Sequence, residues 1–137
     1  MLNIDIKTIS HNQQRYETCG DYYGGAEKGL HFRVSSLDDC YSEFLIALHE
    51  QIEYFLCRIR GISNEAIDKF DIEFEANRIP EDESEPGDHI EAPYHNEHMF
   101  AIKIEKMVCE EFGINWNDYE QAIQSLFLDN SPSASGS

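Results

Sequence analysis

Positive charge is scarce in this chain, with 10 Lys and Arg side chains against 27 Asp and Glu and a formal net charge of −17. Such a surface repels a phosphate backbone and has few cations to neutralise one, which excludes direct nucleic-acid binding. Long apolar runs are missing as well. No stretch of about 18 apolar residues is present to cross a bilayer, and the start lacks the basic-then-apolar pattern of a secretory leader. The four cysteines, Cys19, Cys40, Cys57 and Cys109, form no CxxC pair, which removes the usual structural zinc clusters and redox motifs. Cys57 and Cys109 fall among helical apolar residues and read as core fillers, free thiols of a reducing cytoplasm. No glycine loop precedes a lysine to cradle phosphate, and no serine sits in a strand-turn-helix elbow. Pro80, Pro86 and Pro93 interrupt the acidic stretch RIPEDESEPGDHIEAP and break the spacing of a calcium loop.

What remains is ordinary globular material. A hydrophobic fraction of 41% over 137 residues suits one core, so residues 1–128 are read as a single α+β domain and residues 129–137, DNSPSASGS, as a disordered tail. Leu2, Ile4 and Ile6 alternate with polar neighbours, as do Leu30, Phe32 and Val34, and YETCGDYY lies between them before the glycine-rich GGAEKG. This front third predicts a small antiparallel sheet or hairpin. After Ser36 and Asp39, a helix N-cap pair, the period lengthens to that of a helix. Tyr41, Phe44, Leu45, Leu48, Ile52, Phe55, Leu56 and Ile59 then mark one apolar stripe ended by Gly61. Further helices are expected from Ser63 to about Asn77, from near Tyr94 with Phe100, Ile104, Met107, Val108 and Phe112 inward, and through Tyr119 to Phe127. The acidic, proline-rich stretch between the second and third helices is a loop that can cover a site.

Chemistry concentrates in LHEQIEYFLC. His49 and Glu53 are four residues apart and project from one side of a helix, so an imidazole and a carboxylate can take two corners of a metal site. Glu50, beside them, is placed to act as general base toward water. His95 and His98, one turn apart in YHNEHMF, supply further candidate ligands, and Asp68, Asp71 and Glu75 in the second helix could be ligands, acceptors for the histidines or surface acids. Imidazole and carboxylate together favour Zn2+ among divalent ions.

The segments MLNIDIKTI, HEQIE, FEANR, SEPGD and APYHNEH resemble those of a small protein type encoded in tailed-phage and prophage genomes, over most of residues 1–112. The resemblance implies a phage origin, hence the host-cell cytoplasm, and by analogy a zincin-like arrangement in which a strand precedes the HExxE helix. Zincins have histidine where this chain has Glu53. Three functional expectations follow. The first is a zinc-dependent, peptidase-like hydrolase with Glu50 catalytic and His49, Glu53, His95 and His98 as ligands. The second is an acidic inhibitor that mimics nucleic acid on a host protein. The third is a magnesium-dependent nucleotide pyrophosphohydrolase using Glu50 and Glu53 with Asp71 or Glu75, although the front sheet does not suit that all-helical fold.

Overall fold

A computed structural model describes residues 1–128; the expected tail lies outside the described residues. The chain is α+β, with strands β1 (Ile4–Ile9), β2 (Gly20–Gly25) and β3 (Gly29–Ser35) followed by helices α1 (Cys40–Ile59), α2 (Asn64–Ala76), α3 (His95–Glu111) and α4 (Trp116–Leu128).

The sheet has the order β1-β3-β2, with β3 central. Leu30, Phe32 and Val34 are all but fully buried, as the middle strand demands. β2 and β3 form the expected hairpin, antiparallel from Gly20↔Val34 to Gly25↔Gly29. Gly24 and Gly29 flank its turn at φ +90° and +135°, where a side chain would be strained. β1 corrects the antiparallel expectation: it runs parallel to β3, from Ile4↔Leu30 to Ile9↔Ser35, so the sheet is mixed. Alternating hydrophobicity reports which face a strand buries, whereas its direction depends on the connection. Here residues 10–19 carry the chain from one edge of the sheet to the other before β3 fills the middle.

Asp39 caps α1, accepting from the Tyr41 amide at 3.1 Å and the Ser42 hydroxyl at 2.7 Å. Gly61, at φ +75°, follows its last turn. Ser63 opens α2 by accepting from the Ala66 amide at 3.1 Å. α1 and α3 pack antiparallel, with Arg60 at the end of one bound to Glu97 at the start of the other at 2.8 Å.

Two apolar clusters result, one around Tyr22, Phe32, Tyr54 and Cys57, the other around Val34, Leu45, Cys109 and Tyr119. Both cysteines read as core fillers are buried. The expected α3 stripe is turned the other way: Phe100, Met107 and Phe112 are exposed, while Glu97, His98, Ala101, Glu105 and Cys109 are buried. Among the described residues, no helix is long and apolar enough to cross a membrane.

Candidate metal centre

The buried side of α3 is polar because it meets the polar edge of α1. His49 and Glu53 rise from α1, His98 and Glu105 from α3, and all four are buried. His49 Nε2 lies 3.0 Å from Glu53 Oε2 and 3.2 Å from His98 Nδ1, and that Nδ1 is 3.0 Å from the same Glu53 oxygen. Three potential ligand atoms thus form a near-equilateral triangle. Four ligands about a tetrahedral ion with bonds of about 2.0–2.1 Å stand roughly 3.4 Å apart, so slight widening would admit one.

The outer nitrogens fix the tautomers. His49 donates from Nδ1 to Glu105 Oε1 at 2.8 Å, and Glu105 accepts a short hydrogen bond from the Tyr119 hydroxyl. His98 donates from Nε2 to Asp88 Oδ1 at 3.0 Å, with Glu85 Oε2 at 3.1 Å. Each histidine therefore carries a carboxylate behind it, the arrangement that orients and strengthens imidazole ligands. With those protons outward, two imidazole lone pairs and a carboxylate oxygen converge on one point, an arrangement that is repulsive unless a cation lies among them.

Protons can serve as that cation. Burial disfavours charge on His49, but Glu105 and Glu53 outweigh it and hold its pKa well above the ordinary value. Burial likewise disfavours charge on His98, but Asp88, Glu53 and Glu85 outweigh it and raise its pKa. Glu53 is the counterpart: burial would raise it, yet His49 and His98 bring it down to about 2. Its other oxygen accepts from the Tyr22 hydroxyl at 3.1 Å, which ties the group to β2.

The triangle opens on a cavity of about 350 Å³ whose walls include Glu50, Asp71, Tyr16 and Tyr94. Glu50 lines it without a hydrogen-bond or ion-pair partner among the described residues. Burial, then the charge of Glu53, pushes its pKa well up. Gly20 makes room for it: a Cβ there would lie 2.7 Å from Glu50 Oε1. Asp71 accepts from Tyr94 at 2.5 Å and Tyr16 at 3.0 Å, and burial raises its pKa to about 7 against the pull of those hydroxyls. Of the other acids of α2, Asp68 pairs with Arg15 at 3.4 Å and Glu75 with Arg78 at 2.6 Å.

The proposed ligands His49, Glu53 and His98 are therefore brought together. His95 has a different place: it donates from Nδ1 to the Gly87 carbonyl at 2.9 Å and lies outside the triangle. That bond straps the Pro86–Asp88 turn, and with it Asp88, across His98. A second group of possible ligands, Glu85, Asp88 and His98, uses the outer His98 nitrogen, and its two carboxylates reach solvent. Glu105, Asp88, Tyr22 and Tyr119 were not foreseen in the sequence. Glu105 carried a signal, lying seven residues after His98 and so on the same helical face, and Asp88 lies in the acidic stretch expected to cover a site.

No protein-family model, curated protein or solved structure matches the chain.

Proposed function

We propose that the protein is a metal-dependent hydrolase with zinc as its ion, acting on peptide-type substrates, and that His49, Glu53 and His98 hold the ion. The observation that carries this reading is the convergence of His49 Nε2, Glu53 Oε2 and His98 Nδ1 within 3.2 Å, each histidine backed by a carboxylate. Three protein ligands beside an open cavity are the pattern of a catalytic rather than a structural zinc site. When bound, such an ion supplies Lewis acidity that makes water a nucleophile near neutral pH. Glu50, in the same cavity beside His49 and Glu53, would accept the proton from attacking water and return it to the leaving group, the charge of a bound ion favouring its ionised form. Tyr16 and Tyr94, held by Asp71, present hydroxyls to the same space.

A zincin-like mode of binding would use β2, an edge strand whose Gly20, Asp21 and Tyr22 line the cavity. Its outward carbonyls at Gly20, Tyr22 and Gly24 accept from Thr18, Arg15 and Asn64, so an extended peptide would pair there only by displacing these side chains. Two imidazoles favour zinc over magnesium, and acidic walls disfavour nucleoside phosphates, which speaks for this reading over the pyrophosphohydrolase one.

Elemental analysis of protein purified without a metal-affinity tag tests the proposal. Near-stoichiometric zinc that disappears in His98→Ala is expected. Metal-free wild type that fails to take up added zinc, manganese or iron would sink it.

A further inference from the structure

The apolar stripe of α1 is wider than its core contacts use. His49, Glu53 and Cys57 face the core, whereas Tyr41, Phe44, Leu48, Ile52, Phe55 and Ile59 follow one another at steps of three and four on another side. That is the spacing of a helix seam. Four of these six are exposed, from 39% at Phe55 to 83% at Ile59, and Leu48 and Ile52 are only partly covered. α3 adds Phe100 and Met107, about half exposed, on the side turned from His98 and Glu105. Phe112 joins the two helices, its ring 5.6 Å from Tyr41 and 5.9 Å from Phe44.

We infer that this α1–α3 face is a homodimer interface, on which a second copy of the chain seats the same two helices about a two-fold axis. Area and charge favour a second copy as occupant. Aromatic side chains carry about 150–250 Å² each, so five of them with Ile59 and Met107, all roughly half exposed or more, offer on the order of 500–900 Å², a range that includes the roughly 800 Å² one partner contributes to a standard-size interface. Monomers rarely leave so large an apolar patch in water. An antiparallel helix pair applied to its own copy closes into a four-helix arrangement, the self-complementary solution a two-fold axis requires. The exposed charges of α3 near this face are of both signs, Lys103 and Lys106 with Glu110 and Glu111, so this surface does not single out the basic partner that a net charge of −17 would otherwise attract. Residues 129–137 contain no large apolar side chain with which to cover it.

Sedimentation equilibrium of the full chain at micromolar concentrations tests this. The expected mass is twice the 15.8 kDa of one chain. Added salt should tighten the association, because it screens the repulsion between two acidic copies without weakening apolar contact. Phe44→Glu combined with Phe55→Glu should weaken it by about a hundredfold or more, while Ile72→Glu, exposed on α2, leaves it unchanged. Should the double variant fold poorly, wild-type oxidative footprinting decides: Met107 is protected at concentrations that give the dimer and not on dilution, while Met1 labels equally in both. A monomeric wild type overturns the inference, as does a dimer that survives the double variant or leaves Met107 fully labelled.

Discussion

His49 and His98, 49 positions apart in sequence, bring Nε2 and Nδ1 to 3.2 Å of each other, with Glu53 Oε2 within 3.0 Å of both. Without a metal ion, protons must hold these atoms together. The ion and the protons therefore compete, and much of the measurable behaviour of the site follows from that competition.

Zinc uptake should release protons and weaken as pH falls, since the raised pKa values of His49 and His98 keep them charged in the apoprotein at neutral pH. Calorimetric titration in buffers of different ionisation enthalpy reads the proton count directly. A binding enthalpy independent of buffer would contradict the assignment of these nitrogens as ligands.

The same groups set the stability of the apoprotein. Glu53, brought down to about 2 from 4.5, contributes stability that is present above its ordinary pKa and lost as pH falls from about 4.5 toward 2. The histidines, shifted upward, contribute stability that is complete below about 6.5 and fades only as pH rises through their folded values. Chemical denaturation of chelator-treated protein should thus show an acid limb that Glu53→Gln flattens. An unchanged limb in that variant would argue against the buried ion pairs.

Glu105 and Asp88 hold the outer nitrogens, so removing their charge should weaken metal binding without removing a ligand. Glu105→Gln and Asp88→Asn are each expected to reduce zinc affinity by about 10- to 100-fold. Glu110→Gln, exposed on the same helix, should have no effect. Competition with a chromogenic chelator measures all three.

How much of this could be read from the residues alone depended on what the pattern encodes. The strand and helix order followed from periodicity and caps, Ser63 and Gly61 among them, because those signals are local. The direction of β1 did not, since a parallel or antiparallel neighbour buries the same alternate residues. Helix faces were misjudged on α3, where Phe100 and Met107 read as core. Apolar character marks what seeks burial, and here the buried side is occupied by His98 and Glu105, whose burial is stabilised by hydrogen bonds to Glu53 and His49 of α1 rather than by transfer from water. His49 and Glu53 were legible because both ligands lie on one helix. Asp88 was not, for its role depends on a strap made by His95.

Glu50→Gln should keep the metal and lose the chemistry. If Glu50 is the general base, hydrolysis of a peptide library should fall by about 100-fold or more while zinc content stays at the wild-type level. Activity that survives the change with metal retained would reassign Glu50 to a structural role.

Asp71 offers a separate pH signature. Its carboxyl titrates at about 7 when folded and near 3.8 when free, so between those values the folded protein binds the extra proton and stability declines as pH rises. The decline integrates to a few kcal/mol, at about 1.4 kcal/mol per pKa unit. Asp71→Asn abolishes that slope. It also loses part of the pairing with Tyr16 and Tyr94, at a cost of about 1 kcal/mol that does not vary with pH. Denaturant midpoints across pH 4 to 8 separate the two effects, the slope reporting ionisation and the offset the hydrogen bond.

Gly87 is where the strap meets the metal group. A Cβ at this position would lie 2.4 Å from Cγ of His98, far inside contact distance, and the ring cannot retreat because Asp88 and Glu53 hold both of its nitrogens. Gly87→Ala must therefore either lift the Pro86–Asp88 turn, losing the His95 and Asp88 bonds, or rotate His98 out of the triangle. Overpacking of this kind costs about 1–3 kcal/mol of stability. Either route also lowers zinc affinity, so the variant should show both losses together. An alanine variant with wild-type affinity and melting temperature would mean that the turn does not press on His98 in solution.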